Sequence, residues 1–236
     1  MTPYPPSHAG TGTNTYPAPP AAPVVTADCL PAGFRYAAVA AGIKPSGTPD
    51  VTLIACEQPS TAAGVYTTNQ VVAAPVVLSR GRTPTDRLWG IVINSGNANA
   101  CTGTAGSQNA VAMTELAATA LSQVNHRSAA ERVDPEQVLV MSTGIIGRPL
   151  PMDRIRHGID RAAAQLGDSL EHFLQAADGI LTTDQGRKVA AGRVEIDGRT
   201  LRLVGMAKGA GMIGPRMATM LGCLMTDAPL TSQQAQ

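Results

Sequence analysis

Aromatic residues are scarce in this chain: one tryptophan, two phenylalanines and four tyrosines make up 3% of 236 residues. A small module pinned by a few large rings is therefore excluded. The core has to come from alanine and aliphatic side chains, which suits closely packed layers of sheet and helix. Charge is also sparse, at 15% of residues with a formal net charge of +1. Such a balance gives no electrostatic reason to expect nucleic acid or an anionic membrane surface as partner. No apolar run approaches the roughly 20 residues of a membrane span. The N-terminus is proline-rich and polar instead of basic and then apolar, so no signal peptide is expected and the cytoplasm is the expected location. Only four cysteines occur, Cys29, Cys56, Cys101 and Cys223, with no CxxC pair and no paired histidines nearby. That pattern argues against a bound metal and against a disulfide scaffold, and predicts reduced, buried thiols.

Residues 1–24 are rich in proline, glycine and threonine and almost uncharged, which predicts a disordered leader, with His8 solvated. From Phe34 the runs FRYAAVAAGI, DVTLIACE, AAGVYTTN and VVAAPVVLS read as short strands separated by turn residues. LWGIVIN (88–94) predicts a strand buried on both faces. It leads into SGNANACTGTAG and a helix over 107–124. EQVLVMS predicts another buried strand that ends in the turn TGIIGRPLP. PMDRIRHGIDRAAAQLG has helical spacing with Ile155, Ile159 and Ala162 on one face, and SLEHFLQAADGIL predicts the next helix. RVEIDGRTLRLVGMA is a hairpin around Asp197-Gly198, a pair favoured in two-residue turns. Strands at both ends with helices between them predict an α/β layered fold containing a mixed sheet.

The stretch KGAGMIGPRMATMLGCLMTDA, from Lys208 to Ala228, is too broken for a helix and too apolar for a solvated loop. At its centre Ala218 precedes Thr219. A threonine hydroxyl is a poor nucleophile unless a base takes its proton, and a free α-amine on the same residue can be that base. With a pKa near ~8 such an amine is substantially neutral at physiological pH. The chain must first be cut before the threonine, and a strained turn around Gly214 and Pro215 suits that cut. A buried Ala-Thr in an ordinary apolar strand would have the same sequence. Lys208, in a glycine-rich apolar setting, needs an anionic partner if it is buried; a surface salt bridge is the other reading. Asn94-Ser95-Gly96-Asn97 lies after a strand but matches neither GxxxxGK[ST] nor GxGxxG, which predicts a packed polar loop in place of a phosphate cradle. His126, His157 and His172 fall in or beside helical patterns without catalytic partners in sequence. Glu131, Asp134 and Glu136 read as a solvated stretch.

KGAGMIGPRMATML closely resembles the processing site of the ornithine acetyltransferase (glutamate N-acetyltransferase) family. AGIKPSGTPDVTLIACEQPSTAAGVYTTNQVVAAPV, INSGNANACTG, STGIIGRPLP and ILTTD resemble further blocks of that family, in family order from about Ala32 to Ala228. The resemblance implies an αββα sandwich with mixed sheets. It implies self-cleavage between Ala218 and Thr219, with Thr219 as nucleophile and Thr143 and Gly144 as oxyanion hole. Thr182, Lys208 and Thr219 match substrate-contacting positions. The implied reaction moves acetyl from N2-acetylornithine to glutamate through an ester on the threonine. No cofactor is implied, and acetyl-CoA is a second donor in some members.

By the same resemblance residues 25–218 form the first (alpha) piece and residues 219–236 the start of a second (beta) piece. Two of each would build a heterotetramer. Family members continue well beyond the seventeen residues that follow Thr219 here, so the chain is expected to be incomplete and inactive alone. Ala210, Gly214 and Arg216 stand where the family usually has serine, alanine and asparagine, and Gln185-Gly186-Arg187 replaces its Thr-x-Pro. These departures bear on cleavage more than on fold. A self-processing amidase or aminopeptidase with the same threonine device, or a non-catalytic partner chain, remain the alternatives.

Overall fold

The computed structural model describes residues 24–124, 132–209 and 220–236. The leader up to residue 23 with His8, and also His126, Glu131, Ala218 and Thr219, lie outside the described residues.

Two sheets and their helices form the body. The first sheet has the order β1 (Phe34–Val39), β2 (Val51–Ala62), β3 (Thr85–Asn97), β4 (Val138–Ile145). It is mixed: β1, β2 and β3 run antiparallel, while β3 and β4 are parallel. A parallel pair needs a long crossover, and helix α2 (Gly103–Val124) supplies it. One face of the sheet, with Val51, Leu53, Val92 and Val140, packs on α2 and on α3 (Met152–Ala164). Ile155, Ile159 and Ala162 are fully buried there, the face that their spacing predicts. Alanines 110, 117, 118, 120, 162 and 163 line this core. Short side chains let helix and sheet backbones approach closely, which is why few rings are needed.

The opposite face carries Tyr36, Ile54 and Ile93. It meets α4 (Leu170–Gly179) through Phe173, Ala176 and Ala177, and it meets the second sheet through Val204, Met206, Cys223 and Met225. That sheet, β5 (Lys188–Ile196), β6 (Arg199–Lys208) and β7 (Leu221–Thr226), is antiparallel throughout. The β5–β6 turn has Asp197 and Gly198 both at positive φ, 52° and 71°, as a two-residue hairpin of this kind requires. Val194, Ile196, Leu203 and Leu224 are exposed, with Leu224 at 77%. No helix among the described residues is long and apolar enough to cross a membrane.

Two expectations are corrected. AAGVYTTN lies beyond β2 for most of its length, and VVAAPVVLS contains a helix, α1 (Ala74–Gly81). Pro75 sits in the first turn, where its missing N–H costs nothing. The Ser79 hydroxyl both donates to the Val140 carbonyl (2.8 Å) and accepts from the Val140 N–H (3.0 Å), clamping the helix onto β4. This tertiary anchor overrides the strand propensity of the valines. The thiols also differ from expectation: Cys56 and Cys223 are buried, but Cys29 is half-buried and Cys101 exposed.

Residues beyond the expected boundary at 218/219 continue the same body. β7 pairs with β6, Thr61 donates to the Leu230 carbonyl (2.8 Å), and Ser232 bonds Asp86.

Removing buried methyl groups beneath α3 should be costly. Ile159→Ala is expected to lower unfolding free energy by roughly 2–5 kcal/mol, against within about 0.5 kcal/mol for His157→Ala on the exposed side of the helix. Urea midpoints at constant m-value would measure both.

Candidate active site

β3 and β4 run side by side into two loops that the following turns hold together. At the end of β3, Asn94, Ser95, Asn97 and Asn99 are all buried, and their polar atoms are consumed locally. Asn94 accepts from Ser142 (2.6 Å) and donates to the Asn97 carbonyl (2.8 Å). Asn97 donates to the Arg148 and Pro149 carbonyls, and Asn99 to the Gly106 carbonyl. Ser95 donates to the Gly179 carbonyl (2.6 Å) and so ties this loop to the end of α4. The loop is a packed polar scaffold.

Gly144 lies opposite Gly96 with φ of 133°. A Cβ on Gly144 would fall 2.3 Å from the Gly96 carbonyl carbon and 2.5 Å from the Asn97 nitrogen. Both the dihedral and the contact exclude any larger residue there. Gly96 in turn rests on the stem of Lys44, where a Cβ would stand 2.9 Å from Cγ.

Beside this crossing, Lys208 ends β6 with only 4% of its surface exposed. Its Nζ donates to Thr182 Oγ1 (2.7 Å) and to Thr143 Oγ1 (3.2 Å). Because each hydroxyl accepts from the ammonium, its own proton is left to donate elsewhere. Asp184 stands behind: its Oδ2 is 3.9 Å from Lys208 Nζ, and its side chain is wholly buried. Asp184 Oδ1 accepts from the Gly209 N–H (2.8 Å) and from Lys188. Burial pulls the Lys208 ammonium below its ordinary value; the Asp184 charge opposes that pull, and Lys188 adds to it. Burial by itself would raise the Asp184 carboxyl. Bonds from Lys188 and the Gly209 N–H, with the two lysine charges, outweigh it and hold the group below its usual range.

The structure thus gathers Thr143, Thr182 and Lys208 into one cluster next to Gly144. All four line an open cleft of about 1960 Å³ with Met141 and Cys223. Ala218 and Thr219 lie outside the described residues, in the segment that joins β6 to β7, where Lys208 pairs with Leu221. A buried cation, two hydroxyls and a glycine backbone facing a cleft can bind an anionic or oxygen-rich group and stabilise charge that develops on it. His157 is exposed and away from the cleft. His172 is spent on the cap of α4, where its Nδ1 bonds Ser169 Oγ (2.7 Å). Asp134 caps a short turn that starts at Pro135, and Glu136 is exposed.

Sequence reasoning missed Asp184 and Lys44. Asp184 lies 24 positions from the lysine it faces, and no spacing rule connects them. The available signal was scarcity. The chain has only three lysines, Lys44, Lys188 and Lys208, and each bonds the turn 181–184: Lys44 donates to the Leu181 carbonyl (3.1 Å), Lys188 to Asp184 and Lys208 to Thr182.

Comparison with known proteins identifies the family. The ArgJ family model matches residues 35–236. The arginine biosynthesis bifunctional protein ArgJ of Rhodopirellula baltica is 54% identical over 211 residues, 89% of this chain and 49% of that protein. The protein of the same name from Symbiobacterium thermophilum is 54% identical over 200 residues, 84% of this chain and 47% of the relative. The chain therefore spans about half the length of the curated relatives it matches. Among solved structures, ornithine acetyltransferase from Mycobacterium tuberculosis, in complex with ornithine, superposes with a TM-score of 0.72 at 43% identity, covering 81% of this chain and 94% of that one. The Bacillus halodurans ArgJ structure gives a TM-score of 0.71 at 32% identity, covering 84% of this chain and 95% of the other. By sequence and by fold, the chain belongs to the ArgJ family.

Proposed function

We propose that this chain supplies the first half of a self-processing glutamate N-acetyltransferase of arginine biosynthesis, with Thr219 as its nucleophile. The observation that carries the reading is the convergence of Thr143, Thr182 and Lys208 beside Gly144, at the point where β6 and β7 are joined by the segment containing Ala218-Thr219. Leu221, only two residues beyond Thr219, pairs with Lys208.

The proposed chemistry has two half-reactions. After cleavage of the 218–219 bond, the Thr219 α-amine takes the hydroxyl proton as Oγ attacks the acetyl carbonyl of N2-acetylornithine. The Thr143 hydroxyl and the Gly144 N–H stabilise the tetrahedral oxyanion. Ornithine leaves with the proton, and the ester remains. The glutamate amine then attacks that ester, so that acetylglutamate is formed and Thr219 is regenerated. Lys208 and Thr182 hold the oxygen-bearing ends of the amino acids. No cofactor takes part on this reading.

Chain lengths support the cut. The two solved chains are covered at 94 and 95%, although this chain spans only about half of the curated sequences. Exposed Leu203 and Leu224 on the outer face of the second sheet support a second piece that covers it. The proposed assembly holds two copies of each piece.

In a polypeptide carrying this chain together with the second piece its relatives have, Thr219→Ala should leave an uncut precursor without transfer activity. Intact-mass spectrometry that still finds a new N-terminus at position 219 would sink the proposed nucleophile. Thr143→Ala removes one oxyanion donor and should lower turnover by about a hundredfold or more. Steady-state acetyl transfer to glutamate reads this directly, and unchanged turnover removes Thr143 from the site. Release of acetate without a glutamate requirement would instead identify a hydrolase.

A further inference from the structure

All three lysines of the chain converge on the turn 181–184, and one carboxylate, Asp184, answers two of them. Asp184 does not line the cleft. It sits behind Lys208, fully buried at the side chain, and its Oδ2 has no hydrogen-bond partner among the described residues while facing the Lys208 ammonium at 3.9 Å. Its other oxygen is held by the Gly209 N–H and Lys188. A buried ammonium without an opposing charge loses its proton, because desolvation penalises the charged form. The cluster holds Lys188 and Lys208 against one carboxylate, so Asp184 alone opposes both the burial of Lys208 and its repulsion by Lys188. Among the described residues, these are the charged groups that act on Lys208. From β4 and from the turn it meets only the neutral hydroxyls of Thr143 and Thr182, and the strand opposite presents Leu221.

We propose that Asp184 is a positioning residue for the acetyl-transfer site: it keeps Lys208 protonated and aimed at Thr143 and Thr182, so that the cleft presents a cation to the carboxylate of an amino-acid substrate. The same carboxylate clamps Gly209, the residue at which β6 leaves the sheet. The substrate part of this inference rests on the transferase reading, but the charge relation between Asp184 and Lys208 does not.

With only three lysines, ¹³Cε-labelled lysine gives a spectrum in which Lys208 is assigned by the signal lost in Lys208→Arg. The Lys208 titration midpoint should shift to lower pH in Asp184→Asn, on the order of one pH unit or more, the usual effect of losing a facing opposite charge. Asp184→Glu retains the charge and should restore most of the shift. An unmoved midpoint in Asp184→Asn overturns the proposal. So does an equal displacement in Asp184→Glu, which would mean that geometry alone matters. If Asp184→Asn does not fold, Asp184→Asn/Lys208→Met removes both charges and should fold; failure of that double variant assigns Asp184 a purely structural role and overturns the proposal. The midpoint is read without turnover, so a failed transfer assay would count against the functional reading alone.

Discussion

A lysine that is 96% covered can remain charged only if its surroundings replace the water it has lost, and Lys208 is the point at which this protein meets that requirement. Two threonine hydroxyls accept from it, and a buried carboxylate faces it from behind. The lysine and its partners come from three separate elements: β4 brings Thr143, the turn after α4 brings Thr182 and Asp184, and β6 brings the lysine itself. Satisfying one ammonium therefore ties both sheets to the turn after α4. The apolar contacts between those layers, Ile54 and Ile93 against Phe173, Val204 and Met206, supply the burial that makes the charge so sensitive to its neighbours.

The glycine crossing is the second constraint. Gly144 approaches the Gly96–Asn97 backbone so closely that it could bear no side chain, while Gly96, at positive φ, abuts Lys44 and Ile43. The buried asparagines and Ser95 use their polar atoms to hold that crossing and to tie it to Gly179. Lys44 extends the same frame, packing its stem under Gly96 and donating to the Leu181 carbonyl. Backbone amides aimed at one point in a cleft keep their direction only when the loops that carry them cannot rearrange. Here Asn94, Ser95, Asn97 and Asn99, none of which lines the cleft, hold the loops in place.

Much of the architecture was legible from local pattern. The apolar face of α3, the doubly buried β3, the Asp197-Gly198 turn and the layered α/β class follow from periodicities and turn chemistry that depend on near neighbours in the chain. VVAAPVVLS was misleading because its helix is held by Ser79 reaching Val140, 61 positions away. Strand propensity carries no information about such a partner. Cys101 was expected to be buried on residue type alone, yet it follows the glycine crossing in an exposed turn with φ of 55°.

By itself the sequence determined which residue types were available: a core of small aliphatic side chains, three lysines, and glycines where loops must cross. Family-like motifs also marked Thr143, Gly144, Thr182 and Lys208 without saying why they belong together. Only the tertiary structure decided that these residues share one end of a cleft, and that Asp184, 24 positions before Lys208, stands behind it. The reason is physical: periodicity and propensity act over a few residues, whereas charge pairing and desolvation act through space, between groups that meet only once the two sheets have packed.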